Sequence, residues 1–387
     1  MSTIKVNSIK NTATNDGGIA IDNSGHVQID GQQLPSAGPL SNRNLIDNGS
    51  MAIAQRGTSE SGLTNSPAFV VDRFSYRRVG NWGTNSFTMS QESSGAPGGF
   101  THFLRLTQSG TAAAPPADTD CRLNTRLEGL NTAQAGFGTS AAKDLTFSFY
   151  AKGSVAGTYC VALQNEAYDQ SYIAEYSLTT SWTRYEITIP ARTTGTWLTD
   201  TDRGFEISWV IAADSDSTSL IGSAGWNTTA ARYTSSQSET FASTSGATFD
   251  LCGVQLEVGK KATPFEHKSY GEDLTKCQRY CYRVQGDDGT GRAIGMGLAR
   301  AAGTIRCVVP LPTTMRANDQ AVTESGLDCM FRTSNTDVSL SSSQNKGINA
   351  VVISATADTG TPFTTGDSII LRVSDSTTAF FQVESEL

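Results

Sequence analysis

The chain has 387 residues, a formal net charge of −8 and only 17% charged residues, where an average soluble domain carries about 25%. Glycine, at 37 residues, fills the gap together with serine and threonine. The absence of any run of about 18 apolar residues excludes a membrane-spanning helix, missing heptads exclude a coiled coil, and an acidic chain with no segregated basic patch is repelled by nucleic acid.

Residues 1–45 read as an N-terminal leader and linker. The opening MSTIKVNSIKNTATNDGG holds no apolar stretch that could serve as a signal peptide. Two short alternating runs, Ile19–Asp22 and His26–Asp30, flank the turn residues Asn23, Ser24 and Gly25, which predicts a strand–turn–strand unit. Two strands alone are marginal in water, so this piece is expected to gain stability from other chains or a docking partner. The Pro/Gly/Ser-rich stretch Gln32–Asn44 predicts a linker.

Residues 46–268 form the largest predicted unit. About ten short strand-like runs recur with polar turns between them, and many alternate with period two. Phe205, Ile207, Trp209 and Ile211 share one face, while Glu206 and Ser208 share the other. No helical pattern is interleaved, so the prediction is an antiparallel β-sandwich of jelly-roll type. Residues 269–283 give the one convincing helix, a connector. Ser269 is placed to cap it, Glu272 occupies the capping-box position, and Leu274, Cys277 and Cys281 would form its apolar stripe. Residues 284–387 predict a second, smaller β-sandwich.

Seven scattered cysteines, an odd number, fit buried thiols made in a reducing compartment better than a disulfide framework. Cys277 and Cys281 with His267 make at most a partial metal set, because zinc needs a closed shell of good ligands. Sugar recognition needs a flat aromatic face with polar partners beside it. Trp82, Trp197 and Trp226 lie in polar, loop-like contexts, with Asp200, Asp202 and Asn227 near them. Those six residues are the candidate ligand-binding set, whereas Trp209 is expected in the core. DTDRG (Asp200–Gly204) begins like a calcium loop but lacks an acidic residue at the twelfth position, so the expectation is no cofactor, with calcium as the alternative. No His-based triad is visible, and no fixed repeat of the β-helix kind, so no catalytic residue is assigned.

Several stretches resemble tail-fibre and virion-appendage proteins of tailed bacteriophages, especially those of marine phages. They are MSTIKVNSI…GGIAID, NRNLIDNGSMAIAQRGTS (Asn42–Ser59) with VDRF (Val71–Phe74), VQLEVGKKATPFEHKSYGEDLTKCQRYCYRV (Val254–Val284), VVPLPTTMRAN (Val308–Asn318) and VESEL (Val383–Leu387). The resemblance implies a virion-attachment leader, a central sandwich similar to carbohydrate-binding modules, and a C-terminal head. It further implies a homotrimer on the virion, built in the host cytoplasm, that contacts other tail or portal-proximal proteins and binds host surface glycan or protein. A glycan-depolymerising tailspike-like appendage and a capsid-mounted decoration fibre are the alternatives. Neither nucleic-acid binding nor membrane insertion is expected.

Overall fold

The computed structural model describes residues 8–10, 18–21, 27–29, 32–33, 41–237, 240–287, 289, 291–332 and 334–387. The protein is mainly β and antiparallel, as its alternating sequence predicts. By contact it divides into two units. One comprises residues 1–52, 58–70 and 74–268; the other comprises 53–57, 71–73 and 269–387.

The leader forms four short strands, β1 (Ser8–Lys10), β2 (Gly18–Ile21), β3 (Val27–Ile29) and β4 (Gln32–Gln33), paired in that order. Ile21 faces Val27 across β2 and β3. Ile19, Ile21 and Val27 remain 44%, 45% and 40% exposed. The predicted turn Asn23–Gly25 and residues 34–40 of the predicted linker lie outside the described residues. Gln32 and Gln33 belong to a strand rather than to a linker. Asn44 is anchored as well: its Nδ2 donates to the Val254 carbonyl at 3.0 Å.

The sandwich strands follow: β5 (Ser59–Leu63), β6 (Phe74–Arg78), β7 (Phe87–Glu92), β8 (Phe103–Gln108), β9 (Asp120–Glu128), β10 (Leu145–Gly153), β11 (Gly157–Gln164), β12 (Ser171–Leu178), β13 (Thr183–Ile189), β14 (Arg203–Ala213), β15 (Gly225–Asn227) and β16 (Thr248–Val258). They make two six-stranded sheets. The first runs β13-β10-β16-β8-β7-β5 and the second β15-β12-β11-β14-β9-β6. Period-two alternation sends Phe205, Ile207 and Trp209 of β14 into the space between the sheets. There Trp209, fully buried, meets Phe147 at 5.5 Å and Phe149 at 5.8 Å on the first sheet. Burying each large side chain of this kind contributes about 1.5–3 kcal/mol. At Gly253, φ is +59° and a Cβ would stand 2.7 Å from the Phe100 ring, so only glycine fits beside the local bulge of β10.

The connector helix is shorter than predicted. It spans Tyr270–Gln278, with the Ser269 hydroxyl accepting from the Glu272 N–H at 3.3 Å. Cys281 therefore does not extend the helical stripe; it opens β17 (Cys281–Gln285). The remaining strands are β18 (Arg292–Ala301), β19 (Thr304–Pro310), β20 (Ala321–Ser325), β21 (Leu327–Phe331), β22 (Ser334–Lys346), β23 (Ala350–Ala357), β24 (Ser368–Val373) and β25 (Phe380–Glu384). Where a second sandwich was expected, six of them close into a barrel, β18-β19-β23-β22-β21-β24, beside a three-stranded sheet β17-β25-β20. Alternation reads the same for either architecture; closure comes from β18 pairing with both β19 and β24 through bulges near Ala293 and Ala299.

Segments 53–57 and 71–73 join this unit through a polar network. Arg56 reaches Glu384 at 2.6 Å and Glu386 at 2.9 Å, Gln55 donates to the Cys281 carbonyl at 2.7 Å, and the Arg73 guanidinium lies 3.3 Å above the Tyr280 ring.

Candidate functional site

The six residues singled out from the sequence are placed mostly in structural roles. Trp82 is only 4% exposed; its Nε1 donates to the Val79 carbonyl at 2.8 Å and its ring meets Phe87 edge-on. Trp197 is 8% exposed, bonded to the Thr194 carbonyl and packed on Phe137 and Phe205. Neither offers a ring face to solvent, because each loop folds back over its own indole. Trp226, half-buried on β15, joins Trp197 (6.0 Å), Tyr172 (5.2 Å) and Phe137 (5.8 Å), with the Arg192 guanidinium 5.1 Å from its ring. The structure thus brings Trp197 and Trp226 together in one aromatic cluster with Phe137. The Asp200 carboxylate accepts the Asp202 N–H at 3.0 Å, and the Asp202 carbonyl accepts from Gly129. Asn227 braces its turn by bonding Ser223 and Gly225. Among the described residues no three His, Cys, Asp or Glu side chains gather where they could hold a metal ion.

A different surface concentrates chemistry. Strands β6, β9 and β14 alternate, so the residues opposite the core side chains share the outer face of the second sheet. Register sets Arg77 opposite Arg122, Ser75 and Ser208 on either side of Asn124, and Arg126 opposite Glu206. One half of this face is roofed by the segment after β14, where Leu220, Ala231 and Tyr233 pack on Cys160, Ala162, Ile173 and Val210. The other half is polar.

Glu206 is the centre of that polar half and is fully buried. Its Oε1 accepts from Asn124 Nδ2 at 2.7 Å. Its Oε2 accepts from Arg126 Nε at 2.7 Å, Arg203 Nη1 at 2.6 Å and the Tyr168 hydroxyl at 2.9 Å. Burial alone would raise its carboxyl, but the guanidiniums of Arg126, Arg122 and Arg203 hold it down at about 2. The neighbouring carboxylate, Asp120, is shared by Arg122 and Arg232. Tyr168 stands at the rim on the β11–β12 loop with φ +55°, a strained value for a non-glycine residue. Asn165 holds that loop: its Oδ1 accepts the N–H groups of Asp169 and Gln170, and its Nδ2 donates to the Thr196 carbonyl. The Arg203 guanidinium stacks 4.3 Å from the Tyr168 ring, and Glu166, 47% exposed, pairs with Arg203 at 2.7 Å.

Sequence reasoning assigned Glu206 to the outer face but missed Arg77, Asn124, Arg126 and Tyr168 as its company. The available signal was the run Arg122-x-Asn124-x-Arg126, three polar residues at the two-residue period, alternating with Cys121, Leu123 and Leu127.

No family model and no curated protein matches the chain. Among solved structures it is similar to a protein described as "CBM4 structure and function" (14% identity, TM-score 0.29, 55% of this chain and 99% of that one). It is also similar to a family 11 carbohydrate-binding module from Clostridium thermocellum in complex with a β-1,3-1,4-mixed-linked tetrasaccharide (12%, 0.27, 53% and 99%). A third is the enzymatically active domain of bacteriophage CBA120 tailspike protein 4 (7%, 0.29, 56% and 21%). At such TM-scores none of these likenesses assigns a function to this chain.

Proposed function

We propose that the chain is a non-enzymatic appendage of a bacteriophage virion, a tail fibre that attaches to host surface glycan through the outer face of the second sheet. The observation that carries the glycan reading is the partly exposed pair Arg77 and Arg126, set over the buried Asn124 and Glu206, with the Tyr168 ring at its rim. A sugar ring needs rigid donors and acceptors for its hydroxyls and an aromatic body nearby. Here Arg126 is locked on the buried Glu206 carboxylate, so little of its side-chain freedom is lost on binding. A carboxyl held at about 2 is a poor proton donor near neutral pH, so Glu206 is not suited to the general-acid role of a glycosidase.

The fibre reading is supported by the motifs shared with phage appendages, and the buried state of all seven cysteines suits assembly in a host cytoplasm. Self-association, as a homotrimer with the leader also reaching other virion proteins, is supported by the exposed Ile19, Ile21 and Val27. Several identical sites would then lift weak sugar affinity by avidity, by factors of about 100 or more.

The test is retention of the protein on immobilised host envelope polysaccharide, with the eluate assayed for oligosaccharides. Retention without release is expected, and Tyr168→Ala should weaken it at least tenfold. Release of oligosaccharides would overturn the non-enzymatic reading, and no retention would overturn the glycan reading.

A further inference from the structure

The outer face breaks a rule of sheet design at one position. Arg77 and Arg122 stand directly opposite on adjacent strands, an arrangement in which like charges destabilise a sheet. Arg122 is compensated by Asp120. Arg77 is not: it forms no ion pair among the described residues, and its buried Nε has no hydrogen-bond partner. The nearby carboxylates are already engaged, Glu206 by Arg126 and Arg203, Asp120 by Arg122 and Arg232. Burial, then the charge of Arg126, push the Arg77 guanidinium below its ordinary value; the charge of Glu206 opposes this and that of Arg122 adds to it, and the side chain stays partly exposed. A local violation retained without an internal remedy marks a functional position.

We infer that Arg77 is the recognition group for a carboxylate on the bound glycan, so that the ligand class is an acidic, uronate-type saccharide. The inference rests on the reading that this face binds glycan. A guanidinium fork receives a carboxylate in two parallel N–H···O bonds, and a planar, always charged donor favours it over a neutral hydroxyl. The incoming carboxylate supplies the direct ion pair that Arg77 does not make among the described residues, relieving its repulsion with Arg122. Arg126 borders the same row and is placed to take ring hydroxyls, and the Tyr168 ring is placed to take the apolar side of a sugar.

The experiment measures binding of the full chain to three forms of one glycan: purified host envelope polysaccharide, the same material after carboxyl reduction, and the same material after desulfation. Carboxyl reduction should cost at least tenfold in affinity, and desulfation should change little. Arg77→Gln should lose at least tenfold toward the native polysaccharide while melting at the same or a higher temperature, because a repulsion is removed. A residue with a merely structural role would lower the melting temperature instead. Equal binding of the carboxyl-reduced form overturns the inference, and so does loss on desulfation alone or a destabilised Arg77→Gln that still binds. If the native polysaccharide is not retained at all, the glycan reading itself falls, which is a separate result.

Discussion

Glu206 shows how one residue can fix a whole patch. Its carboxylate gathers Asn124 from β9, Arg126 from β9, Arg203 from the start of β14 and Tyr168 from a loop. Removing one member of such a buried ionic set leaves uncompensated charge, which costs about 3–5 kcal/mol. Glu206→Gln should therefore lower stability by about that amount, measured by urea denaturation. The pH dependence follows from the same carboxyl. It titrates near 2 when folded and in the ordinary range near 4.3 when unfolded. Its contribution is complete above about pH 5 and is lost as pH falls through the folded value. Wild-type stability should thus drop between about pH 5 and 2, and the drop should be shallower in Glu206→Gln. The seven thiols behave differently. Burial raises the thiols of Cys121, Cys160, Cys252, Cys281, Cys307 and Cys329, the last two to about 12, so these six remain protonated near neutral pH.

At the scale of elements, the connector helix illustrates what short signals decide. Ser269 caps Tyr270–Gln278 through the Glu272 N–H, with Glu272 and Asp273 in the first turn. Such caps are worth about 1 kcal/mol. Ser269→Ala should lower the melting temperature by a few degrees without changing glycan retention; a loss of retention would show that the helix matters to the binding face. The C-terminal end of the helix was not legible, since Cys277 and Cys281 obey helical spacing while Cys281 pairs with Glu384 in a strand. Strand pairing with β25 overrides local periodicity there. The motif residues of AQR, VDRF, CQRYC and VESEL, far apart in sequence, meet as Gln55, Arg56, Asp72, Arg73, Tyr280, Cys281, Glu384 and Glu386. Their spacing gives no hint of that meeting; the pairing of β17 with β25 creates it.

At the scale of the whole molecule, the leader sheet leaves Ile19, Ile21 and Val27 in water, which a chain acting alone gains nothing by doing. The intact protein should sediment at about three times the mass of one chain, in keeping with closed cyclic symmetry. The double variant Ile19→Asp/Ile21→Asp should shift it to the monomer while the binding face stays folded. A wild-type monomer would overturn the trimer reading.

The sequence by itself determined the mainly β, antiparallel character, the burial of Trp209, the helix cap and the assignment of Glu206 to an outer face. These follow from period-two alternation and from local capping, which act between near neighbours. Only the tertiary structure decided that the C-terminal strands close into a barrel, that Trp82 and Trp197 turn inward, and that Arg77 faces Arg122 with no carboxylate to spare. Those outcomes depend on register between strands distant in the chain. Register is set by the summed burial of whole sheets, so no window of sequence carries it.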